Sequence, residues 1–179
     1  MNFICDNLMA EKKAEECIVV MCNGMIGEEN EEGINLSPFD AFEKVLTEEV
    51  IPYIDSHFRT LKDKKHRAMA GLSMGSMQTS YMTLRRPELF AYAGLFCGFV
   101  SNFLSGENEH LEHLDEYKES LNVYFRAMAD RDPFLKMFLH DDELLKKHEI
   151  SCVRKIYFGG HEWKVWRRCL NDFLPLLFR

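Results

Sequence analysis

No apolar run in this sequence approaches the roughly 20 residues that a helix needs to cross a bilayer. The longest, residues 89–100, has about a dozen, so no membrane span is expected. Positive charge is also in deficit: 22 Lys and Arg against 29 Asp and Glu leave a formal charge of −7. That balance argues against a nucleic-acid surface, and the basic clusters at 62–67 and Arg167-Arg168 are short, mixed and best read as solvated faces. The opening residues, Met1 to Asn7, carry no basic region followed by a small-residue cleavage site. The chain as written therefore favours the cytoplasm, and a missing N-terminal segment would make secretion the alternative. There is no Cys-x-x-Cys pair and no zinc-like His/Cys spacing among Cys5, Cys17, Cys22, Cys97, Cys152 and Cys169. A domain of this size needs no staples, and these cysteines read as small buried apolar residues. His110 and His113 lie beside Glu109, Glu112 and Asp115 without a second ligand pair, so they read as a polar helix face; no metal or cofactor is expected.

What is present is an alternation of elements within one domain's length. Helical patterns at 3–15, 38–59 (interrupted near Pro52), 74–85, 109–119, 133–148 and 162–177 alternate with strand-like runs at 17–22, 67–72, 91–97, 122–128 and 152–158. Such alternation predicts a mostly parallel sheet covered on both faces, with chemistry at the carboxyl ends of its strands. The acidic stretch Gly27 to Gly33 lacks the alternating oxygen ligands of a calcium loop and reads as a surface connection.

Within that frame, Arg67-Ala-Met-Ala-Gly71-Leu72-Ser73-Met74-Gly75 runs from strand to helix through Gly-x-Ser-x-Gly. This is the pattern of a nucleophile elbow, a strained turn that lifts a serine above the sheet. A side chain at either flanking glycine is expected to collide with its surroundings. Met77, Tyr81 and Leu84 share one face of the helix that follows, which ends before Pro87.

A serine hydroxyl needs a base, and His161 is the best-placed histidine. It follows the strand at 152–158 in Phe158-Gly159-Gly160-His161-Glu162-Trp163, where the glycines leave the backbone free to aim the ring. His57, His66, His140 and His148 lie in charged helical or pre-strand segments. An acid to orient the base is expected after the strand at 122–128, where Asp130 and Asp132 both stand. Asp132 precedes Pro133 and could equally serve as a helix cap. The order Ser73, Asp132, His161 is that of α/β-hydrolases.

At these residues the chain resembles the esterase group of α/β-hydrolases that includes feruloyl esterases, S-formylglutathione hydrolases and enterochelin-esterase-like proteins. Asp6-Asn-Leu-Met-Ala-Glu11, Val50-Ile-Pro-Tyr-Ile54, the elbow, Gly159-Gly-His-Glu-Trp-Lys-Val-Trp166 and Asp172-Phe-Leu-Pro-Leu-Leu-Phe178 look like its feruloyl and xylan-esterase branch. The resemblance implies an α/β-hydrolase-like three-layer sandwich with a mostly parallel sheet of about five strands. It implies Ser73 as nucleophile, His161 as base, and Asp132 as the acid of a Gly-x-Gly-x-x-Asp pattern, here with Ala127 and Ala129 in place of the glycines. The amide of Met74 becomes an oxyanion donor. Ser76 stands where the family commonly has a second glycine.

The resemblance also implies further N-terminal strands and a His-Gly oxyanion loop that this chain does not contain, hence an N-terminally incomplete domain. The strand thereby missing would lie between 17–22 and 67–72, which predicts direct pairing of those two, a strand donated by a second copy in a self-associated or strand-swapped dimer, or the missing segment supplied as a separate polypeptide; a compact five-stranded sheet with self-association is expected. The function implied is a serine carboxylesterase acting on feruloyl or acetyl esters of plant cell-wall carbohydrate. Trp163 and Trp166 are candidates for an aromatic wall, with core packing expected of at least one. The alternatives are a catalytically impaired interaction scaffold, and an acyltransferase or thioester hydrolase of the same fold.

Overall fold

Parallel strands with helical crossovers organise the chain, as the alternation predicts. The computed structural model describes residues 1–24, 26, 38–100 and 109–179. These fall into two compact units, Met1–Cys17 with Lys64–Arg179, and Ile18–Asp63.

The first unit holds a four-stranded parallel sheet in the order β1 (Ala68–Leu72), β2 (Tyr92–Phe96), β3 (Val123–Ala129) and β4 (Val153–Tyr157). Helix α1 (Asn2–Ala10) precedes it. The second unit contains α2 (Pro38–Val45) and α3 (Ile51–His57), joined by a π-helical turn at Leu46–Val50. The interruption expected near Pro52 takes this form because proline has no N–H to give to the preceding turn. In the first unit α4 (Met74–Arg85) links β1 to β2. A 3₁₀ turn (Glu109–His113) leads into α5 (Leu114–Ser120) before β3, and α6 (Leu135–Lys147) links β3 to β4. Helix α7 (Trp163–Phe173) runs into a closing 3₁₀ turn, Leu174–Leu176. None of these helices is long and apolar enough to cross a membrane.

Strand alternation divides the core. Phe96, Phe125, Ala127 and Ala129 pack with Cys5 and Leu8 of α1 and with Val165, Cys169 and Phe173 of α7. Ala93, Leu95 and Tyr124 pack instead with Leu84 of α4, Leu114 and Tyr117 of α5, and Leu145 of α6. Successive strand residues thus face opposite layers, the period-two rule that makes a sheet with helices on both sides.

Two expectations need correction. Residues 17–22 form no strand: the backbone there pairs with nothing regular, and Ile18, Val19, Val20 and Met21 are 40–78% exposed. A β-branched run has the propensity for a strand, but the strand exists only through a partner, and none is found among the described residues. Among the described residues the sheet accordingly has four strands, not about five, and β1 lies at its end. Cys22 is exposed rather than a small core residue, while Cys5, Cys97 and Cys169 are buried as expected; the six cysteines are free. The acidic stretch 27–33 lies outside the described residues.

Helix α4 is buried over Ser76–Leu84 rather than on one face alone. Its polar side chains bond to backbone, Thr79 to the Gly75 carbonyl at 2.8 Å, Thr83 to that of Thr79 at 2.7 Å and Ser80 to that of Val100 at 3.2 Å. Burial costs little when each hydroxyl has such an acceptor.

A charged group sits in the same layer. Arg126 of β3 is fully buried, lies over the Phe138 ring at 4.3 Å, and donates to Asp142 Oδ1 at 2.8 Å and to the Phe138 carbonyl at 3.1 Å. Asp141, also fully buried, contacts Arg126 at 3.4 Å and accepts the Val100 amide at 2.6 Å. Removing the Asp141 carboxylate strands a buried N–H and half of the guanidinium's countercharge. Asp141→Ala is expected to lower unfolding free energy by about 2 kcal/mol or more, read from urea denaturation; a change within about 0.5 kcal/mol would contradict this account.

Candidate active site

The four strands deliver their side chains to one edge. Hydrogen bonding continues past each carboxyl end: the Ser73 amide donates to Phe96 O at 3.0 Å, Cys97 to Ala127 O at 2.7 Å, Asp130 to Tyr157 O at 2.9 Å and Arg131 to Gly159 O at 3.1 Å. The loops after the strands are therefore tied to one another across the sheet.

Ser73 stands between β1 and α4 at φ 53° and ψ −120°. A non-glycine residue at positive φ costs on the order of 1–3 kcal/mol and persists only where surroundings impose it. Here the close approach of Gly71 to Gly75 does so, since a Cβ on Gly71 would lie 2.0 Å from the Gly75 carbonyl oxygen. The expectation for Gly75 is not met. A Cβ there meets nothing within 4 Å, because its side-chain direction is open and only its backbone is crowded. Ser76 is accommodated by a different glycine: a Cβ on Gly98 would fall 1.4 Å from Ser76 Oγ. The Ser76 hydroxyl in turn donates to the Ser73 carbonyl.

His161 Nε2 lies 2.8 Å from Ser73 Oγ, and its Nδ1 lies 2.7 Å from Asp132 Oδ2. The Asp132 side chain is fully buried and that of His161 is 22% exposed. Asp132 uses its other oxygen as a cap, accepting the Phe134 amide at 2.9 Å. The cap role and the contact with His161 thus belong to different oxygens of one carboxylate. Asp130 turns elsewhere, accepting the Gly159 amide at 2.9 Å. Gly159 has φ +151°, and a Cβ there would press to 2.6 Å from Val165. Phe134 and Trp166 hold the imidazole edge to face, at centroid distances of 5.5 and 5.1 Å. Trp163 packs on Trp166 but is 63% exposed, so Trp166 supports the histidine and Trp163 lies at the rim. The Met74 amide opens α4 directly after Ser73, at the positive end of that helix.

A small cleft of about 70 Å³ beside Ser73 is lined by Met74, Met77, Cys97, Phe99 and Phe134. No motif marks Phe99 and Phe134, and Cys97 reads in the sequence only as a small buried residue. Only their places, just after β2 and just before α6, hinted that they would meet at the strand ends. A larger groove, about 480 Å³, lies between α1, β4 and α7 and shares no lining residue with the site. Beneath the cleft, the Cys169 thiol is pushed above its ordinary range by its hydrogen bond with Cys97 and by burial. The remaining candidate histidines serve elsewhere, His57 stacked on Tyr53 and His148 paired with Asp115 at 2.9 Å.

The family model described as "Putative esterase" matches residues 4–177. The chain belongs to this esterase family. A relative from Xylanibacter ruminicola, named endo-1,4-beta-xylanase/feruloyl esterase, is 37% identical over 99% of this chain but 23% of its own length. The chain thus spans under a quarter of that protein. Among solved structures, a ferulic acid esterase of the anaerobic fungus Anaeromyces mucronatus in complex with ferulic acid superposes with a TM-score of 0.79 at 24% identity, covering 96% of this chain and 69% of that one. A feruloyl esterase module of Clostridium thermocellum complexed with sinapinate gives 0.66 at 15%, covering 97% and 68%. At these identities the likeness establishes the α/β-hydrolase-like fold.

The glycine geometry separates two substitutions that the motif alone treats alike. Gly71→Ala is expected to destabilise by about 2 kcal/mol or more, because backbone must move to admit the methyl group. Gly75→Ala, in the first turn of α4 with open space, is expected to change stability by less than about 1 kcal/mol, the helix preference for Ala offsetting small losses. Paired thermal melts decide this, and equal losses would contradict the asymmetry.

Proposed function

We propose that this chain is a serine carboxylic-ester hydrolase acting on feruloyl or acetyl esters of plant cell-wall carbohydrate. The observation that carries the reading is the continuous hydrogen-bonded line from Ser73 Oγ through His161 to buried Asp132 at the carboxyl ends of a parallel sheet. The substrate class is supported by the name of the xylanase/feruloyl esterase relative and by the ferulic acid bound to the fungal esterase.

In this mechanism Ser73 Oγ attacks the ester carbonyl while His161 Nε2 takes its proton. Asp132 Oδ2 accepts the Nδ1–H, which fixes the tautomer with its lone pair toward Ser73 and stabilises the imidazolium that forms. The Met74 amide donates to the developing oxyanion. Collapse expels the alcohol, which receives the proton from His161, and water then repeats the sequence to release the acid. In this reading the apolar cleft lined by Met77, Phe99 and Phe134 receives the acyl side, and Trp163, exposed and packed on Trp166, is a candidate contact for the carbohydrate side.

Hydrolysis of p-nitrophenyl acetate and methyl ferulate by wild type beside Ser73→Ala tests the reading. Turnover should fall by about 10⁶ in the mutant. Asp132→Asn, which favours the wrong tautomer, should cost about 10⁴ in kcat. Asp130→Asn should cost less than roughly tenfold, since that carboxylate receives a loop amide and the exposed Arg131 but has no bond to His161. A folded protein without Ser73-dependent turnover would sink the hydrolase reading and favour an interaction scaffold.

A further inference from the structure

Cys97 is a residue that the hydrolytic mechanism does not use, yet it is placed with unusual firmness. It follows β2 with φ +50°, a non-glycine residue in the left-handed region, and it is 1% exposed. Its amide is fixed to Ala127 O at 2.7 Å. In this position Cys97 Sγ, an Asp132 carboxylate oxygen and a His161 ring nitrogen all lie within 4.8 Å of one another. We propose that Cys97, Asp132 and His161 form an inhibitory binding site for a thiophilic divalent cation, with Zn²⁺ as the model ion.

Three arguments support this. The donor set is one sulfur, one nitrogen and one oxygen, the mixture that zinc accepts, and the thiolate selects against magnesium and calcium. A divalent ion with one thiolate and one carboxylate sums to zero formal charge, which suits a site where two of the three ligands are buried. Tetrahedral zinc with bonds of about 2.0–2.3 Å needs ligand atoms about 3.3–3.7 Å apart, so ligand atoms now up to 4.8 Å apart draw in, while Asp132 Oδ2 and His161 Nδ1, 2.7 Å apart, must separate slightly if both bind. Cys97 lines the small cleft beside Ser73, so the thiol borders open space next to the other two ligands.

The consequence for catalysis rests on the hydrolase reading. Binding converts the Cys97 thiol to thiolate, and its proton leaves to solvent. If the ion takes His161 Nδ1, it displaces the proton shared with Asp132, and that proton is carried on Nε2 instead. If it takes Nε2, it occupies the lone pair directly. In both cases the nitrogen facing Ser73 Oγ no longer has a free pair, and the serine loses its base.

The test titrates purified, reduced, chelator-treated protein with Co²⁺ and follows the thiolate-to-cobalt charge-transfer band, with no substrate present. One Co²⁺ per chain, displaced by Zn²⁺ and lost in Cys97→Ala, is expected; Cys97→Ser serves if the alanine variant does not fold. In parallel, Zn²⁺ should inhibit p-nitrophenyl acetate hydrolysis reversibly with a chelator. The concentration for half-inhibition, taken relative to each variant's own activity, should rise roughly tenfold or more without Cys97. No band in the wild type, a band unchanged in both variants, or equal half-inhibition overturns the site. A Cys97-dependent band in a protein that hydrolyses no ester upholds the metal site while removing the hydrolase reading.

Discussion

The arrangement at the strand ends depends on one close backbone approach, Gly71 against Gly75. Because no side chain intervenes, β1 turns into α4 within two residues, and Ser73 is left at φ 53° with its hydroxyl above the sheet. The strain is held from several sides. The Ser73 amide is bonded to β2, its carbonyl accepts the Ser76 hydroxyl, and α4 is buried along Ser76–Leu84. A turn that costs on the order of 1–3 kcal/mol survives because unbending it would withdraw a whole buried helix.

The same economy of position governs the other side of the site. Asp132 bonds Phe134 with one oxygen and His161 with the other, so the first turn of α6 and the imidazole are oriented by a single carboxylate. Asp130, two residues earlier, holds the Gly159 amide and so steadies the loop that carries His161. Behind them Arg126, Asp141 and Asp142 lock α6 to β3, and Tyr157 donates to Asp172 at 2.7 Å to join the end of β4 to α7. Polar groups on successive strands thus fix the relative heights of three loops, to which apolar packing alone is indifferent.

Legibility in the sequence followed from whether a residue's role was local. The elbow and the Gly159-Gly160-His161 loop could be read because strained backbone demands particular residues at fixed spacing. The helix at 74–85 matched residue for residue, between Ser73 and Pro87. The run at 17–22 has a strand's pattern yet forms none, because a strand is a property of two segments and propensity reports on one. The all-round burial of α4 was hidden by Ser76, Thr79, Ser80 and Thr83, whose hydroxyls look solvent-facing until their backbone acceptors are seen. Cys97 reads in the sequence only as a small buried residue just after a strand, since Asp132 and His161, which it lies near, are 35 and 64 positions away.

Departures from the pattern of the resembled esterases are absorbed for reasons the geometry makes plain. Ala127 and Ala129 replace glycines, but neither lies at positive φ, both are regular β3 residues paired with Lys155 and Tyr157, and their methyl groups join the core shared with α7. A glycine there would add only chain entropy in the unfolded state, so alanine is the less costly residue. Ser76 replaces another glycine by filling the space above Gly98 and bonding the carbonyl of Ser73. A residue type can change wherever the pattern reflects only small size. Gly71, whose missing Cβ is the space occupied by Gly75, has no such latitude, and neither does Gly159 at φ +151° against Val165.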